Sequence, residues 1–243
     1  MSRLLIGSRR AALLYGAPAA AAAAPLAAPV SIGTASQNSG VGTTLAKTLT
    51  DNVAIGDLVV VFGSSSGSQS ISAITDTQGH TYTQATSQSN GASTWRNRIY
   101  FTIATAAMTS GVDSVTLTWG SSTGYKQIHI FKASGILGPT ASALDKAASA
   151  TTASGNPTTT TATLAQARCL AMAFTIVITG VGETITDNGS WAALTDGAAG
   201  GSALAAIHAA WYETAATTAV THAPTLSNTA RETNTHVAVF KGA

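Results

Sequence analysis

Charge is what this chain has least of. Asp, Glu, Lys and Arg together make up 9% of its 243 residues, against roughly 25% in an ordinary soluble domain. Ala, Thr, Ser and Gly fill the deficit in place of long aliphatic residues, so the composition is neither that of a membrane span nor that of a chain kept unfolded by its charge. Such a surface repels copies of itself only weakly, which suits a subunit fixed in an assembly or a module outside the cell. The net charge is +2, and no aromatic residues alternate with Lys and Arg. A nucleic-acid partner is therefore not expected, and no membrane partner is expected either.

Other shortages exclude chemistry. Cys169 is the only cysteine, which rules out an intramolecular disulfide and a Cys-based metal cluster; within ARCLAMAF it reads as a small buried hydrophobe. Only three glutamates occur, Glu183, Glu213 and Glu232, and no pair of acids stands in a context that marks a general acid and a base. The five histidines, His80, His129, His208, His222 and His236, fall in no ligand spacing. No D-x-D-x-D-G calcium loop is present. Gly63-Ser64-Ser65-Ser66-Gly67 matches the G-x-S-x-G pattern of a serine nucleophile, but that motif needs a helix directly after it. Here another strand-like run follows, so Ser65 reads as part of a hairpin. No enzyme activity, cofactor or metal is expected.

What remains is strand signal. DLVVVFGS (57–64), QSISAITD (69–76), HTYTQATS (80–87), RIYFTIAT (98–105), DSVTLTW (113–119) and KQIHIFKA (126–133) are β-branched or aromatic runs divided by Gly, Ser, Asn and Asp. RIYFTIAT places Ile99, Phe101 and Ile103 on one parity, as a half-buried strand does. LVVVF lacks that alternation and is expected to be a central strand covered on both faces. The second half repeats the order: LVVVF (58–62) is answered by LAMAF (170–174), ITDTQGHTY (74–82) by ITDNGSW (185–191), IYFTIATAA (99–107) by AWYETAATT (210–218), and IHIFKASG (128–135) by HVAVFKGA (236–243). The near-constant spacing predicts an internal duplication. The expected fold is all-β: a tandem duplicated β-sandwich, Ig-like or jelly-roll-like, behind an extended N-terminal arm. The expected boundaries are 1–33 for the arm, 34–136 for the first repeat, 137–157 for a linker and 158–243 for the second. One interleaved sandwich is not distinguished from two.

The pattern GDLVVVF, ITDTQGHTYTQ, WRNRIYFTIATAAMTSGVDSVTLTW and IHIFKASGI resembles the repeat-bearing β-sandwich modules of bacterial surface proteins and of tailed-bacteriophage structural proteins, including decoration and head-fibre types. The element most like them is the turn Asp76-Thr77-Gln78-Gly79-His80-Thr81-Tyr82, shortened to Asp187-Asn188-Gly189-Ser190-Trp191 in the second half. In both turns the aspartate is expected to accept backbone N–H bonds. His129 and His236 fall at nearly equivalent places and are expected to share a structural hydrogen bond. Tyr82, Trp95, Trp119, Tyr125, Trp191, Trp211 and Tyr212 are the aromatics available for a sugar platform, and Trp95 and Tyr125, beside loop residues, are the expected glycan contacts.

The opening MSRLLIGSRRAALLYGAPAAAAAAPLAAPVS is basic: Arg3, Arg9, Arg10 and Lys47 are the only charges before Asp51. Two readings compete. Ser8-Arg9-Arg10-Ala11-Ala12-Leu13-Leu14 resembles a twin-arginine leader with cleavage options near Ala24 or Ala28, which would make the protein a secreted glycan- or wall-binding module. The apolar core is broken by Tyr15-Gly16, Pro18 and Pro25, and Leu4-Leu5-Ile6 precedes the arginines, which favours an arm that orders against a partner. Thirty extended residues reach up to about 100 Å. The favoured expectation is a virion structural protein whose partners are other virion proteins and copies of itself. Arg3, Leu4, Leu5, Ile6, Arg9 and Arg10 would form the anchor, and host surface glycan is a further possible partner.

Overall fold

The computed structural model describes residues 26–37, 42–67, 69–89, 95–121, 124–178, 183–198 and 205–243. The first half forms eight strands: β1 (Val30–Gln37), β2 (Thr44–Thr48), β3 (Leu58–Ser66), β4 (Ile71–Asp76), β5 (Thr83–Ser89), β6 (Arg96–Ile103), β7 (Ser114–Trp119) and β8 (Tyr125–Ala133). They build a large antiparallel sheet, β1-β8-β3-β6-β5, and a small one, β2-β7-β4. Two such sheets from eight strands make a jelly-roll-like sandwich. Its core is Val59, Val61, Ile128 and Ile130 from the large sheet against Ile71, Val115, Leu117 and Trp119 from the small one. The half-solvated pattern expected of RIYFTIAT is not found there, because Ile99 to Ile103 of β6 are all buried between two cores; β7 shows it instead, with Val115, Leu117 and Trp119 buried and the residues between them partly exposed.

The second half follows the same strand order. A one-turn helix, α1 (Thr140–Ala143), leads into β9 (Leu144–Thr152), β10 (Thr159–Thr160), β11 (Arg168–Ile178), β12 (Ile185–Thr186), β13 (Ala192–Ala198), β14 (Ala205–Ala215), β15 (Thr221–His222), β16 (Thr225–Leu226) and β17 (Thr233–Lys241). The large sheet is β9-β17-β11-β14-β13, which matches β1-β8-β3-β6-β5 strand for strand, and the pairs β10-β15 and β12-β16 stand where β2-β7 and β7-β4 stand in the first half. No helix among the described residues is long and apolar enough to cross a membrane.

The two large sheets pack face to face, and this explains why LVVVF and RCLAMAF carry no alternation. Leu58, Val60 and Phe62 of β3 join Leu170, Met172, Phe174 and Ile176 of β11 in one cluster, while the opposite parity of each strand faces its own sandwich. Phe62 stacks on Phe174 with centroids 5.0 Å apart and planes 2° from parallel. At the margins β5 lies beside β9 and β1 beside β13, so corresponding strands exchange roles across the contact as in a two-fold pair. The molecule is two sandwiches joined through a third, central core.

Several expectations need correcting. β1 begins at Val30, inside the segment assigned to the arm. The segment 137–157 is not a free linker: α1 and β9 together occupy 140–152 of it, and β9 pairs with β17 along its length. Leu137 N–H donates to Lys241 O at 2.8 Å and Ala243 N–H to Gly135 O at 2.9 Å, which stitches the crossover to the chain's last residues. The sequence match also slips in register. Phe101 lies opposite Val60 and Trp211 opposite Met172, so Trp211 corresponds to Phe101, although the match placed it against Tyr100. In a strand that one-residue difference decides which face a ring occupies. Arg3, Leu4, Leu5, Ile6, Arg9 and Arg10 lie outside the described residues.

Candidate functional site

The turn Asp76–Tyr82 shows what an aspartate does at this corner. Asp76 Oδ1 accepts the backbone N–H of Gln78 at 2.9 Å and of His80 at 3.2 Å. Its Oδ2 accepts His80 Nδ1–H at 2.9 Å and the Tyr82 hydroxyl at 2.8 Å. Gly79 closes the turn at φ 74°, where any other residue would be strained. Burial and the adjacent carboxylate push the Tyr82 phenol up. Four donors saturate the carboxylate, so the corner is structural, as a backbone-capping Asp should be.

The corresponding corner of the second sandwich is built differently and opens a groove. Asp187 Oδ1 accepts from His208 Nε2 at 2.8 Å, out of β14, and from His222 Nε2 at 3.0 Å, out of β15. Burial opposes ionisation of Asp187, but the two histidine bonds hold its carboxyl down to about 2. Burial also lowers His222, which keeps its imidazole neutral. These separations are shorter than the edge of about 3.3 Å that bonds of ~2.0–2.1 Å give a tetrahedral zinc site, and among the described residues no group of three or more His, Cys, Asp or Glu is placed to hold a metal.

This buried trio fixes an aromatic pair at the surface. The His222 ring packs edge-on against Trp191 with centroids 4.7 Å apart, and Trp191 Nε1–H donates to Thr221 O at 3.0 Å. Asn188 Oδ1 accepts the Ala223 N–H at 2.8 Å and ties the turn to the β15–β16 connection. Held this way, Trp191 stands 5.8 Å from the Tyr212 ring at 44°, and both half-exposed rings line an open groove of about 220 Å³ with Ser190, Thr214 and Thr218. Two fixed rings flanked by hydroxyls offer apolar faces and hydrogen bonds together. Among the described residues, Tyr212 is the only titratable side chain on the groove wall.

The residues singled out from sequence fare unevenly. Trp95 and Tyr125, expected as glycan contacts, are 4% and 0% exposed. They pack on each other at 5.3 Å within the central core and present no face to a ligand. Trp119 is likewise buried. Ser65 is buried in β3 with its Oγ donating to Gln69 O at 3.2 Å, and the next element is β4, not a helix. Cys169 is buried and its thiol is pushed up to about 11 by burial and by Asp145. His129 and His236 do hold matching ladder positions, opposite Phe62 and Phe174, and burial lowers them to about 4 and about 3. His236 Nδ1 meets Thr86 Oγ1 at 2.9 Å, whereas among the described residues His129 Nδ1 has no partner; what they share is contact with the Phe62 ring. Sequence reasoning named Trp191 and Tyr212 only among seven aromatics, and the turn ending at Trp191 was the available signal.

Fold and groove together define a class: an all-β protein of two packed sandwiches with an aromatic groove on one outer face. No protein-family model, curated protein or solved structure matches the chain.

Proposed function

We propose that this chain is a non-enzymatic structural protein of a tailed-bacteriophage virion, of the decoration or head-fibre kind, held in the particle through its first residues. The observation that carries the reading is the central core: Phe62, Phe101, Phe131, Phe174 and Phe240 lock the two sandwiches into one body, preceded by a basic, Ala/Pro-rich stretch of a different composition. A stiff body suits display on a particle, and a leading segment with little capacity to form a core of its own suits attachment to a partner surface. Replacing Arg3, Leu4, Leu5, Ile6, Arg9 and Arg10 with alanine should empty the particle of this protein while leaving its thermal midpoint unchanged. Unchanged occupancy would defeat the proposal.

The groove favours a second reading, a secreted module that binds neutral glycan through Trp191 and Tyr212. Here Trp191→Ala should abolish retention on polysaccharide, and Trp95→Phe should not. The mature N-terminus separates the two. A chain starting at Met1 or Ser2 supports the anchored subunit, and one starting after Ala24 or Ala28 supports export.

A further inference from the structure

The first sandwich carries a second cleft, opposite in character to the aromatic groove. It is about 260 Å³ and is lined by Ser70, Ser87, Gln88, Arg96 and Arg98. Arg96 and Arg98 lie two residues apart on β6 and so project from the same face. Both are half-buried, and among the described residues both guanidinium groups meet only neutral acceptors. Arg98 Nη1 donates to Ile71 O at 3.1 Å and to the Tyr100 hydroxyl at 3.2 Å, and Arg96 Nη1 donates to Trp95 O at 3.3 Å. These bonds fix the forks and leave further N–H donors on each group.

The carboxylates that might neutralise them are committed elsewhere. Four acids precede residue 137: Asp51, Asp57, Asp76 and Asp113. Asp51 pairs with Lys132 at 2.7 Å, and Asp57 accepts the Ala54 N–H. Asp76 is saturated by its turn, and Asp113 holds Thr77, Gln78 and Thr109. The other sandwich supplies a control. Arg98 lies opposite Gly63, and the corresponding position, opposite Thr175, is His208. There the cation-forming side chain is closed onto Asp187, whereas in the first sandwich the same ladder position faces a cleft that has no carboxylate among the described residues of its walls.

We propose that this cleft is an oxyanion site that takes a carboxylate or sulfate group borne by an acidic glycan. Two oriented arginine forks match such groups in bidentate geometry. The volume is below the ~300–1,000 Å³ of a pocket that swallows a whole small ligand, so it admits one charged substituent and part of the ring bearing it. Among the described residues the walls carry no aromatic side chain, and single-stranded nucleic acid relies on such rings for base stacking. The site is independent of the anchor and of the aromatic groove, and it stands or falls separately from both.

The test is calorimetric titration of the full chain with inorganic sulfate, a polyuronate tetrasaccharide, a sulfated tetrasaccharide and a single-stranded oligonucleotide of matched charge, at low salt and at about 0.15 M. The expected result is weak sulfate binding, tighter binding of at least one acidic tetrasaccharide, and weaker binding of the oligonucleotide. Arg96→Gln should weaken the tetrasaccharide by about tenfold, the loss of one charge-assisted contact, with an unchanged thermal midpoint. Arg98→Lys, which keeps the charge and loses the fork, should weaken it as well. Trp191→Ala should leave this binding untouched. Absence of binding by every probe, wild-type affinity in both arginine variants, sulfate binding without a gain from the sugar, or an oligonucleotide that binds as tightly as the tetrasaccharides would each overturn the assignment.

Discussion

If the two sandwiches share one core, damage to either should be felt by both, and the Phe62–Phe174 stack is where this is sharpest. Both rings are fully buried. Phe62 also touches the rings of His129 and His236, and Phe174 that of Phe131. Truncating a core Phe to Ala costs about 3–5 kcal/mol, and the part belonging to an aromatic pair is ~0.5–1.5 kcal/mol. Phe62→Ala and Phe174→Ala should therefore each lower the free energy of unfolding by about 4 kcal/mol, and the double variant should fall short of the sum by about 1 kcal/mol. The assay is urea unfolding followed by tryptophan fluorescence and by circular dichroism. Trp95 and Trp119 report the first half, Trp191 and Trp211 the second, and all four should give one coincident transition. Phe62→Leu and Phe174→Leu serve if an alanine variant does not fold. Two separable transitions, each shifted only by the substitution in its own half, would refute the shared core, and so would additivity within ~0.3 kcal/mol.

Acid should loosen the same contact. His129 and His236 are lowered from 6.5 to about 4 and about 3 by burial, so the unfolded chain takes up their protons first. Stability is full above pH 6.5 and falls below it by up to about 1.4 kcal/mol per pH unit for each histidine, until the folded groups titrate; His236→Gln should remove one proton's share of that slope in denaturant titrations at stepped pH. Asp76→Asn replaces an acceptor of four bonds by a side chain that must turn an N–H toward His80 or Tyr82, and should cost about 2–4 kcal/mol in chemical unfolding. Gly63→Ala places a Cβ 2.4 Å from Ile71 Cδ1 and 2.7 Å from Leu117 Cδ1, pushing the small sheet off β3, with an expected loss of ~1–3 kcal/mol by the same assay.

The strands that alternate or run apolar were legible because burial alone dictates them: β4 and β7 fall within the runs read from sequence, and β3, β6 and β8 overlap theirs with ends displaced by one or two residues. β1, VSIGTASQ, and β9, LDKAASATT, were not. They are edge strands of the large sheets, rich in Ser, Ala and Thr, and β8 and β17 define them by offering a ladder. Apolar residues on both parities of LVVVF announced burial on both faces, but nothing local says that the second cover is the large sheet of the other half. Trp95 and Tyr125 sit beside loops in sequence, yet they cap one end of a core that extends past the strand ends. The groove needed Trp191 from the turn before β13 and Tyr212 from β14, and only the register of β14, displaced by one from the sequence match, puts Tyr212 on the outer face. The arginine cleft had a local signal in Arg96 and Arg98 at strand spacing. Its meaning required knowing where four aspartates had gone.

The pattern of likeness and difference between the halves follows from which face a residue occupies. Positions on the inner face must satisfy two sheets at once, and there the halves agree: Phe62 with Phe174, His129 with His236, Val60 and Leu58 with Met172 and Leu170. A change on one side of that contact leaves its counterpart mispacked, so the pair is constrained together. Positions on the outer faces answer only to their own small sheet, and there the halves part. Arg98 stands where His208 stands, and the aspartate corner that is closed by its own turn in the first half is closed by two histidines in the second. One outer face carries the Arg96 and Arg98 guanidinium groups and the other a pair of fixed rings. A core that holds the two halves back to back therefore frees two surfaces, on opposite sides of one rigid body, to carry different chemistry.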